Sequence, residues 1–302
     1  MRRFIKIFKV AFQSIYKNKT RSLLTMLGII IGVGAVIMTI SAGEGATRQV
    51  QDQISGLGTN LLMIQTKSER KAGINVRMGR PIDKKDLEIL QKNAVWMPKI
   101  SPLLAIGAQA IGPNGYKSTM VYGVSFDYFY ISSRELQSGS FFTDEDVKTA
   151  KKYCVIGQTI REELFPGTDP VGSQIRIDKV PFTVVGMLTE EGTSGMQDMD
   201  DIILAPYTTI QNRLYGRSRG YTMIMASALS EDHILDAKTE TIELLRESHK
   251  IKEADDDDFQ IMTQIELQEI TSNITGILTI LLGAVASISL IVGGIGIMNI
   301  ML

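Results

Sequence analysis

Two histidines, one cysteine and one run of four aspartates are the residues of this 302-residue chain best suited to chemistry. His233 and His249 stand sixteen positions apart on one predicted helix, about 24 Å along its axis, too far to share a metal ion or pass a proton. Each reads as a surface residue. The run ADDDDF, 254–259, has carboxylates enough for a cation, but it lacks the spaced ligands and turn glycine of a calcium loop and reads as a solvated connection. Cys154, in KKYCVIGQ, has no activating base nearby in sequence and no second cysteine to pair with, so it reads as the core of a short buried strand. The glycines of GGIG, 293–296, follow a long apolar run, lack a third glycine at its expected place and precede no acid, which excludes a nucleotide-binding turn. No catalytic, metal-binding or cofactor-binding residue is assigned, no cofactor is expected, and the chain reads as a non-enzyme.

Glycines in such a run have another use. Small residues let membrane helices approach closely, and Gly28, Gly32 and Gly34 in a first apolar run, with Gly283, Gly293, Gly294 and Gly296 in a second, offer packing faces of that kind. Leu23–Ala42 is 20 residues without a charge, and Thr271–Leu302 is longer and equally uncharged. A hydrocarbon core of about 30 Å takes about 20 residues at 1.5 Å each, so both runs are predicted spanning helices. A signal peptide cut after Ala42 is the alternative for the first, although the run exceeds the usual h-region of about 7 to 15 residues.

Charge sets the orientation. No acid precedes Glu44 and no charge follows Glu269, while seven bases (Arg2, Arg3, Lys6, Lys9, Lys17, Lys19 and Arg21) lead into the first run. The positive-inside bias then keeps both ends in the cytoplasm and residues 43–270 outside. The outer part holds 25 bases against 33 acids, a net −8, with no basic face for phosphates; nucleic acid is not an expected partner.

Around the spans, Phe4, Ile5, Phe8, Phe12 and Ile15 form a stripe at helical spacing, the pattern of an amphipathic helix on membrane lipids. Val50, Ile54 and Leu57 on the way out, and Leu267, Ile270, Ile274, Ile277 and Leu281 on the way back, step by three and four as a helix seam does, predicting a paired stalk. The outer domain shows two similar units. One runs from a strand at 60–66 through a helix at 84–92, with Asp83 as N-cap, to a strand near 100–111. The other runs from a strand at 221–228 through a helix at 231–248 to a strand at 259–263. Between them lies an insertion of short strands, with short helices after Gly157 and Pro206. The expected organisation is therefore a cytoplasmic amphipathic helix (1–20), a first span (21–42), a stalk helix (43–58), an outer α+β core domain (59–263, insertion about 113–218), a second stalk helix (264–273) and a second span (274–302). The fold class is an α+β extracytoplasmic domain of porter-like βαβ units with an inserted mixed subdomain, between two transmembrane helices.

Four stretches in order, NKTRSLLTMLGIIIGVGAVI, ISGLGTNLLMI, VIGQTIREELFPGTDPVGSQIRIDKVPFTVVGML and IVGGIGIMNIML, resemble the MacB/FtsX-like permeases of ABC transporters, including their MacB-like periplasmic core domain. The similarity covers nearly the whole chain. It implies a noncatalytic permease subunit of the bacterial inner membrane, an ATP-binding partner subunit, a homodimer or paired permease, and force passed by the stalk to the outer domain for export of cargo. An adaptor or other extracytoplasmic partner protein is a further expectation. Family members continue into a charged cytoplasmic segment and two more spans, so the chain resembles the N-terminal portion of such a permease. Two alternatives remain at this point: an FtsX-like relay that activates a cell-wall hydrolase, and a two-helix sensor receptor with an extracellular ligand-binding domain.

Overall fold

The computed structural model describes residues 60–71, 74–194, 197–216 and 220–301, with scattered positions from 26 to 45. The amphipathic helix at 1–20, Gly28, Gly32, Val50, Ile54 and Leu57 lie outside the described residues. Residues 52–268 form one compact unit, and residues 1–51 with 269–302 another.

Apolar runs broken by turn residues lay down the outer unit. Strand β1 (Leu61–Thr66) leads through β2 (Ser68–Lys71) and β3 (Ile74–Met78) to helix α1 (Lys84–Asn93) and the long strand β4 (Lys99–Gly112). Next come β5 (Gly115–Val124), α2 (Asp127–Ile131), β6 (Leu136–Gly139), α3 (Asp144–Lys148), β7 (Tyr153–Ile156) and α4 (Gln158–Leu164). Strands β8 (Gln174–Ile177), β9 (Val180–Leu188), β10 (Thr193–Ser194), β11 (Gln197–Asp198) and β12 (Ile202–Pro206) follow, then α5 (Tyr207–Ile210), which widens into a π-helical turn at Gln211–Tyr215. The chain finishes with β13 (Met223–Ser227), a 3-10 turn at Glu231–His233, α6 (Ile234–His249), β14 (Phe259–Thr263) and α7 (Gln264–Met301). The helix starts predicted at Asp83, Gly157 and Pro206 are all present; Asp83 accepts from the Lys85 and Asp86 N–H groups while the Asp86 carboxylate accepts the Asp83 N–H, a reciprocal cap.

The two repeated units interlock. In the order β14-β1-β13-β4, each neighbouring pair is antiparallel, so β1 and β4 flank a strand of the second unit, and β13 and β14 flank a strand of the first. That is a split βαβ arrangement, with α1 packed against α6. β4 serves both halves of the unit: Lys99–Leu103 pairs with β13, whereas Leu104–Gly112 pairs with β5. From there the sheet curls through β5, β12, β7, β9 and β8 back to β4, a ring of six strands, with β6 added on β9.

Alternation along these strands divides the core. Leu62, Ile64, Ile224 and Ala226 face α1 and α6 in one cluster, which continues into the ring through Ala110, Val121, Ile156, Phe182 and Ile203. Leu61, Leu103, Met225, Val155 and Leu204 face the other way, onto Tyr128, Phe129 and Phe142. Cys154 is fully buried in the core and its thiol donates to the Thr183 carbonyl; burial pushes the thiol up, which makes it inert.

Candidate functional site

The place where strand becomes helix is the best-built feature connecting the sheet to the long helix. β14 ends at Thr263 and α7 begins at the next residue. Thr263 Oγ1 accepts the Glu266 N–H at 3.2 Å, and Glu266 Oε2 accepts the Thr263 N–H at 3.0 Å, so the helix starts on a capping box. The other Glu266 oxygen takes the ammonium of Lys238, on the first turns of α6. Burial pushes the Glu266 carboxyl up, but the hydrogen bonds from Lys238 and from the Thr263 backbone, with the Lys238 charge, outweigh it and hold the group below the ordinary carboxylate value. The cap contributes about 1 kcal/mol and the half-exposed ion pair less. Their value is directional: β14, α6 and the first turn of α7 are fixed to one another.

The far end of β14 is held by a buried polar cluster. His249, with no exposed side-chain surface, donates or accepts at Nδ1 with Asp258 Oδ1 at 2.7 Å, and its Nε2 lies 3.2 Å from Asp86 Oδ2 without hydrogen-bond alignment. Asp86, also wholly buried, accepts the Ser248 hydroxyl at 2.5 Å and lies 3.9 Å from Arg80. Asp258 accepts the Arg80 N–H at 3.2 Å and, through its carbonyl, the Lys67 N–H at 2.9 Å. Asp83 stays below the usual carboxylate value: burial pushes it up, while Arg80 and the N–H groups of Lys85 and Asp86 pull it further down. α1, α6 and the entry to β14 are thereby tied together by charge inside an otherwise apolar layer.

This cluster corrects the reading of His249 as a surface residue, while His233 lies at the surface as expected. His233 is partly exposed, stacked on Trp96 at 4.3 Å and paired with Asp236, but His249 is core. The inward face of α6 runs Ile234, Ala237, Thr241, Leu245 and Ser248, and His249 follows Leu245 by four, so the helical period carried the signal. The aspartate run is likewise only partly a solvated loop. Asp257 pairs with Arg246 at 2.6 Å and Asp258 belongs to the cluster.

Of the predicted stalk residues, Leu267 is half-buried, whereas Ile270, Ile274, Ile277 and Leu281 expose 46, 54, 59 and 57% of their surface, an apolar row uncovered in the single chain. A Cβ added at Gly34, Gly283 or Gly294 meets nothing within 4 Å. Gly293 and Gly296 fall within the α7 backbone. Among the described residues no helix is long and apolar enough to cross a membrane, and many distal side chains of α7 are not among those described. Also among the described residues, no group of three or more His, Cys, Asp or Glu side chains could hold a metal ion.

A split βαβ layer joined to a ring of six strands gives the class of the 52–268 unit, a mixed α/β domain with a barrel-like sheet. The description "MacB-like periplasmic core domain" matches residues 22–243, and the chain belongs to that MacB/FtsX-like permease family. It is 34% identical over 307 residues to the macrolide export ATP-binding/permease protein MacB of Bdellovibrio bacteriovorus, covering 100% of this chain and 47% of that protein. The protein of the same name from Chlorobium luteolum is 35% identical over 302 residues, covering 99% and 45%. The chain thus spans about half the length of these relatives. In fold it is similar to the periplasmic region of MacB from Actinobacillus actinomycetemcomitans, with a TM-score of 0.61 and 21% identity over 74% of this chain and 98% of that one. It is also similar to the extracellular domain of the noncanonic ABC-type transporter YknZ from Gram-positive bacteria, with a TM-score of 0.55 and 20% identity over 68% and 100%.

Proposed function

We propose that this chain is the membrane-embedded transmission part of a MacB-type exporter. In this reading residues 21–42 and 274–302 span the inner membrane with the N-terminus in the cytoplasm, and residues 43–58 and 264–273 form the stalk. An ATP-binding partner subunit drives the spans from below, and the stalk delivers that movement to the outer domain, which expels cargo without being an enzyme itself. The chain works as a homodimer or paired permease, with the exposed row Ile270, Ile274, Ile277 and Leu281 and the open glycines Gly283 and Gly294 as the faces that a partner helix covers.

The observation that carries the reading is the junction of Thr263, Glu266 and Lys238. A helix joined to a sheet by a loose loop would dissipate an axial push, whereas a capped helix that starts one residue after the strand and is clamped to a neighbouring helix passes it on. The matching test is ATPase coupling in the assembled transporter. Lys238→Glu, which sets two carboxylates against each other, lowers transport per ATP hydrolysed, and the swap Lys238→Glu with Glu266→Lys restores it. Full transport in the single variant would refute the assignment.

A further inference from the structure

On the edge away from β5, strand β4 changes partners from β13 to β8, and the change leaves a gap. On its side away from β5, β13 pairs as far as Leu103 and β8 begins at Ala110. Between them two side chains stand in for ladder partners: Thr222 Oγ1 accepts the Ala105 N–H at 3.0 Å, and Asp178 Oδ1 accepts the Gln109 N–H at 3.1 Å. Asp178 reaches that position from a left-handed backbone, φ 50°. The odd-numbered residues of this stretch aim their backbone groups toward the gap, because the Leu103 and Gln109 carbonyls accept N–H groups from that side. Gly107 lies midway between Ala105 and Gln109, and among the described residues no hydrogen bond engages its N–H or C=O on that side. It is exposed, and a Cβ at this position would meet only the Met120 sulfur at 3.9 Å.

The gap opens onto a surface depression of about 510 Å³ lined by Gly107, Gln109, Ser118, Met120, Asp178 and Asp201 among others. Its charged lining groups are both carboxylates. Asp201 is partly neutralised: its buried Oδ1 has no hydrogen-bond partner among the described residues, while Oδ2, in a side chain that stays 28% exposed, is 3.9 Å from Lys117, which Glu163 engages more closely at 2.8 Å. Arg176 and Lys179 flank Asp178 in sequence but do not line the depression.

We infer that the open position of β4 at Gly107, between the occupied Ala105 and Gln109, docks an extended segment of a partner protein carrying a basic side chain, independently of the export reading. The segment adds as a short strand opposite Gly107, exchanging backbone hydrogen bonds there over a gap of about 14 Å between Ala105 and Gln109, and its basic side chain crosses the bare glycine toward Asp201. The absence of a side chain at Gly107 lets the two backbones approach.

The probe is a fluorescein-labelled, blocked pentapeptide, Thr-Val-Lys-Val-Thr, titrated into the full chain in detergent and read by anisotropy, with amide hydrogen exchange across 104–110 as the second readout. Saturable binding with slowed exchange in that stretch is expected. Glutamate in place of the central lysine, or Asp201→Asn in the protein, weakens it by about tenfold, the scale of one close charge pair. Methylating the central backbone nitrogens of the peptide, or Gly107→Val, abolishes it; valine suits an exposed strand and fills the depression. Equal binding of the methylated peptide, binding without exchange protection at 104–110, or no binding at millimolar peptide overturns the inference.

Discussion

Replacing His249 by Ala removes the ring set between the wholly buried Asp86 carboxylate and the partly exposed Asp258 carboxylate. Asp86 keeps the Ser248 hydroxyl at 2.5 Å and the Asp83 N–H at 2.9 Å, and Asp258, with 23% of its side chain exposed, keeps the Arg80 N–H at 3.2 Å. Leaving a buried polar group without its partner costs about 1–3 kcal/mol, and the wholly buried Asp86 carboxylate puts the loss at the upper end, about 3 kcal/mol. The edge contact of the ring with Phe259, 5.9 Å between centroids, adds about 0.5 kcal/mol. Trp96, the only tryptophan, stacks on His233 at 4.3 Å and reports unfolding of this unit by its fluorescence. With a urea dependence of about 2 kcal/mol per molar, the midpoint falls by about 1.75 M. Adding Asp86→Asn to the variant recovers part of the loss, because an amide is cheaper to leave unpaired than a carboxylate. A midpoint within about 0.3 M of wild type would refute the cluster as a stabilising element.

Three further outcomes follow from the geometry. Gly79→Ala places its Cβ 1.8 Å from the Asp258 carbonyl oxygen and should lower stability by about 2 kcal/mol or more in the same urea assay. Glu266 titrates below its ordinary value of 4.5 in the folded chain, so its contribution is complete above about pH 4.5 and is lost as pH falls through the lower folded value; Glu266→Gln should remove that acid-side decline and cost no more than about 1 kcal/mol at pH 7, measured by urea unfolding across pH. Gly294→Leu with Gly296→Leu should leave membrane insertion intact, read by membrane fractionation and protease protection, yet impair ATP-driven transport, because the leucines fill the face on which a neighbouring helix packs.

Local signals carried much of the fold into the sequence. The period-two runs of β1, β13 and β14, the acidic cap at Asp83 and the glycine and proline before α4 and α5 each depend on neighbours in the chain, and each was legible. What stayed hidden depends on distant partners. The interlocking of the two βαβ units requires β1 to enter between β13 and β14, and the closure of the ring requires β8 to reach β4 across more than sixty residues, for which no local spacing is a sign. Lys238 and Glu266 each look like ordinary surface residues of separate helices; only their meeting makes a junction. His249 was misjudged because its polarity outweighed its position on the inward face of α6.

The claim most in need of measurement is that nucleotide-driven movement reaches the outer domain through α7. Spin labels at Val95→Cys, in a Cys154→Ala background, sit on an exposed position of the outer unit, 73% accessible. Electron–electron double resonance between the two copies of the assembled transporter, without nucleotide and then trapped with ATP and vanadate, should show the distance distribution shift by several ångströms, with the shift lost in Lys238→Glu and regained in the Lys238→Glu, Glu266→Lys swap. Identical distributions in the two nucleotide states of the wild-type protein would contradict the account.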